Sequence, residues 1–178
     1  MTIKNNNLLF RQAQCEDVDA CWNIVRGAKA MMNRLGRNQW QGEYPSVRDV
    51  EKDIEHQCAM ILLCEREPIA YGALIFTGEK SYDIITDGDW LTKTNTANCR
   101  YATLHRLAVE PEHMGKGLAQ AFFEKALVEV GRRVFESMRV DTNYDNDMML
   151  HILPKMGFTR CGIVQLPGGE RIAFEKLV

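Results

Sequence analysis

Leu107-Ala108-Val109-Glu110-Pro111-Glu112-His113-Met114-Gly115-Lys116-Gly117-Leu118-Ala119 is the stretch on which the fold of this chain turns. It reads as an apolar strand, a tight turn and a glycine-containing loop that opens straight into a helix. Such a junction aims several free backbone N–H groups at one point, and the helix dipole adds partial positive charge there. Together they make an anion site suited to phosphate or pyrophosphate. Gly115 and Gly117 let the backbone approach an anion closely, because no Cβ stands in the way. Lys116 between them adds a point charge.

Two familiar phosphate loops do not fit. A P-loop needs Gly, four residues, then Gly-Lys-Ser/Thr, but Gly115-Lys116 is followed by Gly117 and Glu110 stands five before Gly115. A dinucleotide-binding loop needs a third glycine where this chain has Gln120. What remains is Met114-Gly115-Lys116-Gly117-Leu118-Ala119. It resembles the acyl-coenzyme A loop of the GNAT acetyltransferases, Arg/Gln-x-x-Gly-x-Gly/Ala. Gly117 and Ala119 match; Met114 departs, standing where the family usually has Arg or Gln.

Outward from that stretch, the segments alternate. Residues 8–13 read as a short strand. Glu16 and Asp17 open a helix to about 35, with Val18, Cys21, Trp22, Val25 and Ala28 on one face. Residues 36–45 are a loop punctuated by glycine and proline. Ser46 with Asp49 reads as a capping box for a helix to about 56. Strands follow at 59–64 and 69–76, joined by a turn at 65–68, with a weaker strand at 81–85. After a polar loop at 92–98, 100–109 reads as a central strand, apolar on both faces. Residues 117–130 form a helix that packs through Leu118, Ala121, Phe122, Ala126 and Val130. A strand at 137–141 precedes a helix at 146–156, which kinks or stops near Pro154. Strands at 158–164 and 171–177, joined by Pro167-Gly168-Gly169, suggest a hairpin. This order predicts one mixed α/β sheet flanked by helices, in one domain spanning 1–178.

The resemblance covers nearly the whole chain. Phe10-Arg11-Gln12-Ala13 before Glu16 and Asp17 looks like the family's first strand and helix start. Leu107-Ala108-Val109-x-Pro111 looks like its fourth strand. Asn146 followed by Gly157-Phe158 looks like its late pattern. Within the family the chain is similar to a group of bacterial members. Gln39-Trp40-x-x-x-Tyr44-Pro45, His105-Arg106-Leu107-Ala108-Val109, Asp141-Thr142 and Arg171-Ile172-Ala173-Phe174-Glu175-Lys176 carry that likeness. The resemblance implies a GNAT domain whose fourth and fifth strands splay apart. It implies an N-acetyltransferase that moves an acetyl group from acetyl-CoA to a primary amine of a small molecule or peptide.

The bulk numbers agree with a globular domain. The chain has 178 residues, 46% of them hydrophobic and 26% charged, enough for a real core. A net charge of −2 gives no electrostatic case for nucleic acid or membrane as a partner. The first residues lack the apolar core of a signal peptide, and no run approaches a transmembrane span. The six cysteines show no Cys-x-x-Cys and no clustering with histidine, so we expect reduced, mostly buried thiols in a cytoplasmic protein and no metal. A homodimer is left open.

Acetyl transfer makes four demands. The pyrophosphate must be held, and the resemblance assigns this to Met114, Gly115, Lys116, Gly117, Leu118 and Ala119. The amide-rich pantetheine arm pairs with an exposed strand edge, which the resemblance places at Leu107, Ala108 and Val109. The thioester oxygen needs a donor as charge develops, and a backbone N–H of that strand serves. The amine must lose a proton and the thiolate gain one. Relatives that use a tyrosine for the last step carry it seven residues after the late asparagine, here Leu153. Relatives that use a glutamate base carry it four residues before the coenzyme-facing segment, here Thr103. His105 is then the candidate base, on the same strand face as Leu107 and Val109, against a packed strand histidine as the plainer account. Tyr144 is the candidate acid, against a surface tyrosine. Asn146 either caps its helix or also touches the coenzyme. Trp40 and Glu43 lie in the loop that borders the acceptor site in the family, suited to a cationic amine; alternatively Trp40 anchors that loop. Asp87-Gly88-Asp89-Trp90 reads as a turn, and His113 and Arg132-Arg133 as solvated surface. A degenerate GNAT domain that senses acyl-CoA without turnover is the alternative function, and an α/β domain without coenzyme a third.

Overall fold

The computed structural model describes residues 7–178. Its elements are β1 (Leu8–Gln12), α1 (Val18–Arg34), α2 (Val47–Glu55), β2 (Ala59–Cys64), β3 (Glu67–Ile75), β4 (Ile85–Thr86), β5 (Tyr101–Val109), α3 (Leu118–Arg132), β6 (Ser137–Thr142), α4 (Asp147–Lys155), β7 (Thr159–Leu166) and β8 (Gly169–Leu177). The strands form one mixed sheet in the order β1-β2-β3-β5-β6-β8-β7-β4. The chain packs as two compact units. The first runs to Leu74 and takes in Arg106–Lys125; the second is Ile75–His105 with Ala126–Val178. The division falls inside β5, between His105 and Arg106.

In the first unit, β2 is a nearly continuous buried run, antiparallel to β1 and β3. Its hairpin with β3 is tighter than expected. Glu65 and Arg66 both take left-handed φ, 50° and 78°, and alone make the turn. Glu67 and Pro68 already belong to the ladder, paired with Cys64 and Leu63. A register shift between Leu62 and Leu63 accommodates the proline, which has no N–H to give. A short 3-10 turn at Cys15–Asp17 leads into α1. Arg11 holds Asp17 at 2.7 Å, and this pairing, with the Gln14 N–H, keeps the Asp17 carboxyl below its usual range. Helix α1 buries Cys21, Ile24 and Val25 against Ile61, Leu63, Val50 and Ala108, with Val18, Trp22 and Ala28 at the margin. The Ser46 capping box forms as expected: the Ser46 N–H donates to Asp49 Oδ2 at 2.7 Å.

In the second unit, β6 and β7 each pair antiparallel with β8, and Leu166 opposite Gly169 leaves Pro167-Gly168 as the hairpin turn. The strand expected at 81–85 does not form. Lys80–Asp83 is a 3-10 turn, and β4 is two residues paired with β7. The cause is Tyr82, buried and donating from its hydroxyl to Asp141 at 2.6 Å, with Glu79 accepting from the Ser81 N–H. Arg139 and Glu175 form a fully buried ion pair at 3.0 Å. Thr92, Ser137 and the Leu91 N–H complete the Glu175 carboxylate, and the Arg139 guanidinium lies between the Trp90 and Tyr101 rings. Removing either partner alone would strand a charge, at a cost of about 3–5 kcal/mol.

Helix α3 buries Leu118, Ala121, Phe122, Ala126 and Val130, as its spacing predicts. Asn146 caps α4, whose last residue directly follows Pro154. Among the described residues, Cys21 and Cys161 are buried, Cys15 is exposed and the other three cysteines are intermediate, all of them free. Fewer are buried than expected. No described helix is long and apolar enough to cross a membrane.

Candidate active site

Strand β5 pairs with β6 in parallel at three positions: Tyr101 with Ser137, Ala102 with Met138, and Thr103 with Arg139. Beyond Thr103 that register ends, in keeping with the splayed strands that the family resemblance implies. Three residues on, Arg106 takes a left-handed φ of 55° in the middle of the strand. A non-glycine residue with that backbone turns the following peptide out of the extended alternation. The alternation that would set His105 on one face with Leu107 and Val109 is therefore broken at Arg106.

The Arg106 side chain explains how this conformation is held. Its Nε and Nη2 donate to Asp53 of α2 at 2.8 and 2.5 Å, and its Nη1 to the Tyr44 hydroxyl at 2.9 Å. Asp53 also accepts from the buried Tyr71 hydroxyl. Burial works against the Arg106 charge, but the bonds to Asp53 outweigh it and raise its pKa. Sequence reasoning missed this cluster. The available signal was Asp53 itself, a carboxylate beside Val50 and Ile54 on the apolar face of its helix.

The glycine loop has the expected shape. A 3-10 turn at Pro111–His113 ends at an extended Met114, and Gly115 and Gly117 take left-handed φ of 75° and 78°. Helix α3 starts at Leu118, with the Gly117 carbonyl accepting from Ala121. Among the described residues, nothing lies within 4 Å of where a Cβ would stand on Gly115, and only the Gln120 side chain, at 3.9 Å, near that of Gly117. Both glycines thus face open space and a helix start whose first N–H groups have no intrahelical partner. Lys116 is exposed, its Nζ 3.2 Å from His113 Nδ1. Leu107, Ala108 and Val109 lead directly into this loop, with Ala108 buried in the first unit's core.

In the second unit, His105 is mostly buried between two carboxylates. Its Nε2 lies 3.3 Å from Glu79 Oε2 and its Nδ1 3.6 Å from Asp141 Oδ1. The first contact has ion-pair distance without the alignment of a hydrogen bond, so Nε2 is buried without a hydrogen-bond partner among the described residues. The His105 ring lowers the Glu79 carboxyl to about 2, against burial and with help from the Ser81 N–H. Tyr82 and Arg171 complete the Asp141 carboxylate, Arg171 Nε at 4.0 Å. No sequence pattern marked Glu79, 26 residues before His105, as its neighbour.

The remaining expected residues are distributed as follows. Asn146 is buried and its Oδ1 accepts from the Met149 N–H at 3.3 Å, so it does cap α4. Tyr144 is exposed, two residues before that cap. Leu153 and Thr103 are fully buried, and the Thr103 hydroxyl has no hydrogen-bond partner among the described residues. Trp40 takes a left-handed φ of 66° and packs at the margin of the first core, while Glu43 is exposed. Among the described residues no cluster of three or more His, Cys, Asp or Glu side chains is arranged to hold a metal ion.

Residues 29–158 match the family model of the Acetyltransferase (GNAT) family. The chain belongs to the GNAT acetyltransferase family. A GNAT acetyltransferase from Streptococcus agalactiae is 34% identical and superposes with a TM-score of 0.86, covering 96% of this chain and 95% of that one. A second GNAT acetyltransferase, from Listeria monocytogenes, is 18% identical with a TM-score of 0.75 over 96% and 95% of the two chains. The PaiA N-acetyltransferase of Thermoplasma acidophilum, solved in complex with coenzyme A, is 15% identical with a TM-score of 0.71 over 96% and 99%. The last two share the GNAT fold. No curated protein matches the sequence.

Proposed function

We propose that this GNAT protein transfers an acetyl group from acetyl-CoA to a primary amine of a small molecule or peptide, as one cytoplasmic domain spanning 1–178. One observation carries the proposal: the strand–turn–glycine–glycine–helix junction at 107–119, with both glycines left-handed and facing open space. The pyrophosphate sits on the N–H groups of 114–119, the pantetheine arm runs along Leu107–Val109, and Asn146 contributes to coenzyme orientation. A backbone N–H of the strand receives the thioester oxygen as it gains charge. His105 takes the amine proton, directly or through one water, and Tyr144 returns one to the thiolate. Trp40 and Glu43 border the acceptor. Calorimetric titration of acetyl-CoA into wild type and Gly117→Val tests the coenzyme site. Loss of more than about tenfold in affinity supports it; equal affinity in a folded variant removes it.

A second reading has its own observation. Leu153 and Thr103, which stand where relatives carry a tyrosine acid and a glutamate base, are both core residues. A domain that binds acyl-CoA without turnover fits these departures. Amine-dependent thiol release separates the two readings.

A further inference from the structure

Arg106 joins three parts of the first unit. Its backbone forms the left-handed break in β5, immediately before the segment Leu107–Val109. Its guanidinium is forked onto Asp53 of α2, and its third donor reaches the Tyr44 hydroxyl in loop 36–45. Asp53 is itself fixed by Tyr71 of β3, so the fork is anchored on the core side. Tyr44 is different. It is about half exposed, and Arg106 is the hydrogen-bond partner of its hydroxyl. One end of the guanidinium is thus held by packed secondary structure, and the other ends on a loop.

We propose that Arg106 couples loop 36–45 to the coenzyme-facing strand, so that the loop and the peptide following Arg106 are ordered together. This rests on the reading that acetyl-CoA lies along Leu107–Val109. When the pantetheine arm pairs with that segment, it fixes the peptide that the Arg106 backbone turns outward. That favours the guanidinium position in which Nη1 meets Tyr44. Loop 36–45, with Trp40 and Glu43, is then held more firmly for an acceptor when the acyl donor is present. The coupling is reciprocal by linkage: whatever holds the loop also favours acetyl-CoA. The planar fork is essential, because a lysine at 106 cannot grip Asp53 with two donors and reach Tyr44 with another.

Hydrogen–deuterium exchange with and without saturating acetyl-CoA tests this on wild type, Tyr44→Phe and Arg106→Lys, each with its melting temperature. Tyr44→Phe removes one exposed hydroxyl, so its melting temperature stays at the wild-type value. In wild type, acetyl-CoA slows exchange in peptides covering 106–119 and, by about fivefold or more, in those covering 36–45. In Tyr44→Phe and Arg106→Lys the protection of 114–119 persists and that of 36–45 is largely lost. Protection at 106–119 with no change at 36–45 in wild type overturns the coupling and leaves the coenzyme site standing. Equal loop protection in Tyr44→Phe overturns it too, as it shows the ligand reaching the loop by another route. No protection anywhere overturns the coenzyme site itself.

Discussion

His105 Nε2 stands 3.3 Å from Glu79 Oε2, and the pairing lowers the Glu79 carboxyl from an ordinary 4.5 to about 2. The contact joins the middle of β5 to the segment that precedes the 3-10 turn at Lys80–Asp83. A group whose folded pKa is depressed contributes stability that is fully present above its unfolded pKa and is lost as pH falls through the folded one. The Glu79 contribution is therefore intact at pH 6 and declines from about 4.5 toward about 2. Glu79→Gln is expected to be less stable than wild type near pH 6, and the gap should close as pH falls through that window. Urea unfolding of both proteins across it measures this; a gap that stays constant with pH contradicts the pairing.

In the glycine loop the backbone and the charge make separable contributions. Lys116 is exposed and, among the described residues, reaches only His113. Lys116→Ala leaves the N–H groups in place, so acetyl-CoA affinity should stay nearer to wild type than in Gly117→Val. Valine at 117 would occupy the open space above the loop and strain a φ of 78°. Titration of all three proteins ranks the two effects. Lys116→Ala as the weaker binder would make the site one of point charge instead of backbone.

Asn146 separates capping from coenzyme binding. Its Oδ1 already accepts from Met149, and aspartate caps as well as asparagine. Asn146→Asp should keep the wild-type melting temperature within a degree or two while acetyl-CoA affinity falls, since a carboxylate cannot donate as the amide does. Unchanged affinity leaves Asn146 with its cap alone.

The local shapes at these residues were legible in the sequence because each is set by a few neighbouring residues. A capping box, an N-cap and a glycine loop before a helix are each encoded within about six residues. The burial of Phe122, Ala126 and Val130 follows from one helical period. The left-handed Arg106 is not local. It depends on Asp53, 53 residues earlier, and no pattern around His105-Arg106-Leu107 marks a break in the strand. The same holds for Tyr82, in the segment 81–85 that the sequence predicts as a weaker strand. Its partner Asp141 lies 59 residues on and pulls the segment into a 3-10 turn instead. The flanking of His105 by Glu79 and Asp141 likewise exists only in the folded chain.

If His105 is the base, the acetyl-transfer rate rises with pH along a limb that depends on this side chain, because a base accepts the amine proton only in its unprotonated form. His105→Asn should abolish that limb and lower the rate by ~10²-fold or more, with acetyl-CoA affinity nearly unchanged. The pH–rate profile of each protein, with an amine that supports turnover, is the measurement. A variant that keeps the wild-type rate and profile makes His105 a packing residue between its two carboxylates, with solvent carrying the proton.

The central claim is turnover, and free-thiol release from acetyl-CoA tests it most directly. Purified protein is incubated with acetyl-CoA and a broad panel of primary amines, among them polyamines, amino acids and peptides with free N-termini. The account predicts that at least one amine raises coenzyme A release well above both the enzyme-free rate and the rate without amine, and that Gly117→Val suppresses it. Acetyl-CoA bound at wild-type strength, with no amine raising thiol release, would contradict it and leave a GNAT domain that holds acyl-CoA without transfer.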